Sequence, residues 1–218
     1  MTPLPTLSLL ETRVLGVLVE KQHTVPDSYP LTLNAIVSGA NQKTSRDPVI
    51  EASEAEVQAT IDHLKALSLV VESSGGRVMR YAQNVGKVLG VPPQSVALLT
   101  VLFLRGPQTV GELRINSDRL HKFGDISSVE GFLHELAERG FVKELARLPG
   151  TRETRWAHQL SGEVHAEAAP TSEATASDAV TVSEIAALKA NVDQLHADVE
   201  ALKSTVARLC KELGVEAP

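Results

Sequence analysis

Val57, Ile61, Leu64, Leu69 and Val70 recur 72 residues later as Val129, Leu133, Leu136, Phe141 and Val142. Nearer the N-terminus, Val17 and Leu18 recur as Val101 and Leu102 at an offset of 84. A repeat of this kind constrains the fold more than any single motif, because each half must then build the same supersecondary unit. The two offsets differ by 12, so the first half carries extra loop, which the sequence locates at Pro26–Pro30 and Asn41–Pro48.

The unit can be read from caps and periodicity. Ser8 and Glu11 form an S-x-x-E capping box, in which each side chain serves a backbone N–H of the other. Leu7, Leu10, Val14, Val17 and Leu18 follow at helical spacing. His23 to Pro30 reads as a loop because of its two prolines. Leu33, Ile36, Val37 and Ala40 predict a short second helix, closed by the polar loop Asn41–Pro48. Ser53 and Glu56 cap a third helix through Val57, Ile61 and Leu64. Leu69–Val71 and Val78–Tyr81, around Ser73-Ser74-Gly75-Gly76, predict a β-hairpin.

The second half repeats the order. Pro92 and Pro93 open a helix through Val96, Leu99, Leu102 and Phe103, which stops at Gly106-Pro107. Thr109 and Glu112 cap the next helix, and Ser127 and Glu130 the one after. Phe141–Leu145 and Thr154–Ala157 flank Pro149-Gly150. Three helices and a terminal hairpin make a winged helix. The expected class is mainly α with small β-hairpin wings (α+β), as tandem winged-helix modules over 1–86 and 87–160. Aromatics are 3% of the chain, which suits small helical cores of Leu, Val, Ile and Ala.

Residues 161–181 are rich in Ala, Ser, Thr, Glu and Pro and read as a disordered linker. Beyond it, Ile185, Leu188, Val192, Leu195, Val199, Leu202, Val206, Leu209 and Leu213 are spaced alternately three and four apart. Within 182–214, β-branched residues take the a positions 185, 192, 199 and 206 and leucine every d position, the choice that favours a parallel two-stranded coiled coil and hence a homodimer. A helix docked on the protein body would show a wider apolar stripe.

The polar loop and two later stretches carry a resemblance. Asn41-Gln42-Lys43-Thr44-Ser45-Arg46-Asp47-Pro48-Val49 resembles the signature loop of the YceH-like family of bacterial proteins. Gly111-Glu112-Leu113-Arg114 with Arg119 and Phe123, and Leu148-Pro149-Gly150 with Arg152, Glu153, Arg155 and His158, agree with it. The resemblance covers about residues 7–161 and implies tandem winged-helix domains, often with a coiled-coil tail.

Enzymatic motifs are missing from the sequence. It has no Walker A loop, no GxGxxG after a strand, no GxSxG and no HExxH. Its seven histidines are scattered and none pairs with Cys210, the single cysteine, at zinc-ligand spacing. No cofactor and no metal are expected. One cysteine, no leader-like N-terminus and no apolar run of roughly 20 residues predict a cytoplasmic protein without a membrane partner.

Charge decides what such a protein could bind. The net −6 belongs entirely to residues 161–218, while residues 1–160 balance to zero. A winged helix usually reads DNA with its third helix, and its wing meets the backbone. Here both third helices are net −2, which phosphate would repel. The basic residues lie elsewhere. The candidate contacts are Asn41, Gln42, Lys43, Ser45 and Arg46 in the signature loop, Arg77 and Arg80 in the first wing, Arg114 and Arg119, and Arg147, Arg152 and Arg155 in the second wing. Two readings stay open: a transcriptional regulator that contacts double-stranded DNA through the 41–48 loop and the basic wings, or a protein–protein adaptor that binds no nucleic acid.

Overall fold

The computed structural model describes residues 5–73, 78–147 and 153–162. The linker from residue 163, the coiled-coil segment with its seam, both hairpin turns, and Arg77 and Arg152 lie outside the described residues.

The first half builds helix α1 (Leu9–Thr24), a 3-10 turn at Pro26–Ser28, α2 (Leu33–Ala40), α3 (Glu54–Ala66) and strands β1 (Val70–Ser73) and β2 (Arg80–Gln83). A short helix α4 (Val85–Leu89) leads into the second half, which builds α5 (Pro93–Arg105), α6 (Val110–Asn116), α7 (Ile126–Glu138), β3 (Val142–Glu144) and β4 (Trp156–His158). The described residues are therefore mainly helical with two small antiparallel hairpins.

The capping boxes form at three helix starts. Ser8 Oγ accepts the Glu11 N–H at 3.2 Å, and Glu11 accepts the Ser8 N–H at 2.6 Å. Ser53 with Glu56 and Thr109 with Glu112 repeat the arrangement. Pro92 caps α5, with Pro93 in its first turn, where the missing N–H costs nothing. The expected box at Ser127 and Glu130 does not form. Asp125 takes the cap two residues earlier, its Oδ1 accepting both the Ser128 N–H and the Ser128 hydroxyl at 2.7 Å. A carboxylate there also faces the positive end of the helix dipole. His23, expected in a loop, stays on α1. Its Nδ1 lies 3.1 Å from the Val19 carbonyl, and the Thr24 hydroxyl donates to Glu20 O at 3.0 Å.

Both hairpins share one register. In the first, Val70 pairs with Gln83 and Glu72 with Tyr81. In the second, Val142 pairs with His158 and Glu144 with Trp156. Each outer strand gains one further bridge, Leu31 to Tyr81 in the first half and Gln108 to Trp156 in the second. Leu31 and Gln108 each directly precede the threonine that caps the second helix, Thr32 and Thr109.

One continuous apolar cluster runs through both halves, from Leu7 to Trp156. The most extensive contact between helices is that of α1 with α5. Gly16 permits it: a Cβ there would stand 2.7 Å from Leu104 Cδ2 and 3.4 Å from Phe103 Cβ. The two first helices thus meet face to face, and neither half buries its apolar surface alone.

Candidate functional site

The signature loop follows α2 and returns to α3, and two arginines hold it, Arg13 from α1 and Arg46 from within the loop. Arg13, on α1, is fully buried. Its Nη1 donates to Ala40 O at 3.3 Å and its Nη2 to Pro48 O at 2.7 Å. Burial depresses its pKa and the Arg46 charge adds to this, while Asp47 acts the other way. A guanidinium nonetheless stays protonated in a protein.

Arg46 was expected to face a partner, and the structure corrects this. Its side chain is 0% exposed. Nε donates to Gly39 O at 3.2 Å, Nη1 to Ser45 O at 3.0 Å, and Nη2 pairs with Glu20 Oε2 at 2.5 Å. The reason is geometric: backbone carbonyls in a loop need donors, and a guanidinium offers five in one plane.

Asn41 is also committed. Its side chain exchanges two hydrogen bonds with the backbone of Ala52, both 2.8 Å, which closes the loop like a rung of a sheet. Gln42 Nε2 donates to Thr44 O at 3.0 Å. The Asp47 N–H reaches Leu104 O at 2.8 Å, which ties the loop to α5. Lys43 and Ser45 remain exposed. Ser45 holds φ at +59°, a left-handed conformation uncommon outside glycine.

The other expected contact residues divide similarly. Arg80 donates to Ser28 O at 3.2 Å and Pro30 O at 2.7 Å, and so fastens the first long loop to β2. Arg114 donates to Gly124 O at 3.3 Å. Arg155 donates to Pro107 O at 3.4 Å and stands 3.8 Å from Glu112. Arg119 and Arg147 are exposed.

Beside the loop lies a cleft of about 450 Å³. The end of α1 contributes Glu20, Lys21 and Thr24, and the loop contributes Gln42 and Thr44 to Arg46. The end of α5 adds Val101, Leu104 and Arg105, and α6 with the turn after it adds Ile115, Asn116, Arg119 and Leu120. Arg105 Nη2 donates to Ser45 Oγ at 2.9 Å. Glu20 is the one acid on this wall among the described residues, and it is already paired with Arg46 and lies 3.7 Å from Lys21. Lys21, Arg105 and Arg119 give the cleft a positive surplus.

The sequence reading passed over Lys21, Arg105 and Arg13. Arg13 did leave a signal: a charge set among Leu10, Val14 and Val17, within the apolar stripe of α1. Lys21 and Arg105 left none, because the cleft assembles residues from distant parts of the chain.

The third helices present acid outward. Glu54, Glu56 and Asp62 on α3, and Glu130, Glu135 and Glu138 on α7, are all exposed. Near the first hairpin the surface is apolar instead, with Val71, Val78 and Met79 exposed. Among the described residues no cluster of His, Cys, Asp and Glu could hold a metal ion. No helix among them is long and apolar enough to cross a membrane.

Residues 7–151 match the family described as "Protein of unknown function, DUF480". The chain belongs to this family. The match includes the whole signature loop and both of its arginine anchors. A UPF0502 protein of Methylibium petroleiphilum is 57% identical over 215 residues, 98% of this chain and 92% of the relative. A UPF0502 protein of Paraburkholderia xenovorans is 58% identical over 215 residues, 97% and 90% respectively. One of Burkholderia lata is 53% identical over 221 residues, 99% and 94%. These likenesses run nearly end to end and so extend past the loop and the cleft into the tail.

Proposed function

We propose that this family member is a non-enzymatic, cytoplasmic tandem winged-helix protein that binds double-stranded DNA as a transcriptional regulator. Support for the winged-helix reading is the twofold order of three helices and a hairpin, with one bridge residue before each second helix. The observation that carries DNA contact is the loop itself. Buried Arg13 and Arg46 hold its backbone in one shape, with Lys43 exposed beside a cationic cleft. A preformed cationic edge meets phosphate without an ordering cost. Contact is then to the backbone and away from the acidic third helices. Arg147 extends the same role to the second wing.

The test is an anisotropy titration of a labelled duplex at several salt concentrations. Replacing Lys43 and Arg147 together with Ala should weaken binding across sequences and flatten the slope of log affinity against log salt by roughly 2 units. Gln at Glu54 and Glu56 should leave binding unchanged or tighten it. Undetectable binding by the wild-type protein at low salt overturns the reading. Adaptor function then takes its place, favoured by the exposed acid of α3 and α7 and the apolar surface near the first hairpin. The tail is proposed as a parallel dimerising coil, and Val199→Asp should halve the mass seen by light scattering.

A further inference from the structure

The cleft has a composition that phosphate-backbone contact does not call on. Its charged wall combines two guanidinium groups, on Arg105 and Arg119, with the Lys21 ammonium. Apart from the Glu20–Arg46 pair and polar groups such as Asn116 and Thr24, Val101, Leu104, Ile115 and Leu120 give it an aliphatic patch. Ile115 is 73% exposed, the most open of the large hydrophobic residues described. The volume falls in the range of small-molecule sites, roughly 300–1,000 Å³.

We propose that this cleft binds a phosphomonoester with a small apolar body. Guanidinium groups match phosphate oxygens through paired N–H donors. A dianion with three acceptor oxygens suits a surplus of three cations better than a carboxylate, which brings one charge. The aliphatic patch favours a ligand larger than inorganic phosphate, since an apolar group laid over Ile115 and Leu120 removes their surface from water. The site is also held ready. Arg105 is anchored by the Ser45 hydroxyl, and Ser45 keeps the left-handed backbone that places it there. Non-glycine residues persist in such conformations when their surroundings dictate them, and these cluster at ligand sites.

The experiment is calorimetric titration of the full-length protein in low-salt, phosphate-free buffer with phenyl phosphate, inorganic phosphate and benzoate. Phenyl phosphate should bind at least about tenfold more tightly than either of the others, because only it carries both features. Arg119→Gln should weaken phenyl phosphate by at least about tenfold, and Ile115→Ser should bring it down to the affinity of inorganic phosphate. Both residues are exposed, so circular dichroism should show both variants folded as wild type. Lys43→Ala should leave phenyl phosphate binding unchanged, which keeps this site distinct from the DNA-contact edge. Equal affinity for phenyl phosphate and inorganic phosphate, or no loss in the two variants, overturns the proposal.

Discussion

The two halves hold the loop after the second helix differently: the first relies on buried arginines, the second on backbone closure and aromatic packing, with one exposed arginine, Arg114, on Gly124 O. Corresponding N-caps are 84 residues apart at the first helix (Ser8 and Pro92), 77 at the second (Thr32 and Thr109) and 72 at the third (Ser53 and Asp125). The extra length of the first half thus lies in two places, before α2 and after it. Its longer loops expose carbonyls that helices would otherwise satisfy, and arginines supply the donors: Arg80 for the first loop, Arg13 and Arg46 for the second. The second half has less chain to hold. Its turn after α6 closes on itself, with the Leu120 and His121 N–H groups both donating to Ser117 O at 2.8 Å. Phe123 then buries itself edge-on to His121 and Phe132, with centroids 4.8 and 6.0 Å away. At the offset of 84, Arg13 corresponds to Ala97, which is also buried. A polar anchor replaces a packing residue where the loop is long.

The largest expected effect breaks that polar anchor. Arg13→Met keeps much of the side-chain volume but leaves the Ala40 and Pro48 carbonyls without their donor. Loss of two hydrogen bonds from a charged donor, the buried one to Ala40 O and the part-buried one to Pro48 O, predicts a loss of about 4 kcal/mol in chemical denaturation. Hydrogen exchange should rise over residues 41–48, while 117–125 keeps its protection. A loss under about 1 kcal/mol would mean that the loop holds its shape without Arg13, and the contrast between the halves would fail.

Much of this contrast could be read in advance. Capping residues, apolar stripes and the excess loop of the first half all follow from spacing, because helix periodicity and N-cap chemistry are local. Arg46 and Asn41 show where such reading stops. A basic residue in a polar loop has the same sequence signature whether it faces solvent or turns inward to backbone carbonyls. Only the long-range partner, Glu20 for Arg46 and Ala52 for Asn41, separates the two cases. Asp125 shows a different limit. Asp125-x-x-Ser128 and Ser127-x-x-Glu130 both look like helix starts, and the choice between them depends on how far α7 must reach to bury Val129 and Leu133.

A second comparison concerns acid. Gln83 pairs with Val70 in the first hairpin, and His158 occupies the matching place against Val142 in the second. His158 lies edge-on to Phe103 at 5.0 Å, and its Nδ1 has no hydrogen-bond partner among the described residues. Burial lowers its pKa to about 4. The unfolded chain takes up this proton near pH 6.5, before the folded protein does, so stability falls as pH drops from about 6.5 to about 4. A depression of this size corresponds to about 3 kcal/mol across that window. Glu11 loses stability in more acid conditions. Burial raises its pKa, but hydrogen bonds from the Ser8 N–H, His63 and the Ser8 hydroxyl together outweigh this and lower it. His158→Gln makes the second hairpin like the first. It should remove the acid sensitivity between about pH 6.5 and 4 in urea titrations, and leave the loss at lower pH, where Glu11 is protonated. An unchanged profile would place the responsible group elsewhere.

The smallest expected effect sharpens the comparison of third helices. The Ser53 hydroxyl accepts the Glu56 N–H and the Glu56 carboxylate reaches back to the Ser53 N–H, while at the matching position Asp125 works alone through one carboxylate oxygen. The two caps satisfy the same third N–H of their helices, so their loss should cost a similar amount. Asp125→Ala and Ser53→Ala should each lower the melting temperature by about 3 °C, the shift that loss of one N-cap produces in a domain of this size. Ser127→Ala should leave it within about 1 °C, because an exposed serine inside the first turn serves no orphan donor. Asp125→Ser separates charge from hydrogen bonding. A serine can accept the Ser128 N–H but brings no negative charge to the helix terminus, so any remaining deficit measures the dipole contribution. That deficit should shrink as salt is added, since the dipole effect is screened at an exposed terminus. A drop on Ser127→Ala that matches Asp125→Ala would move the cap to the later register and return α7 to the boundary its sequence first suggests.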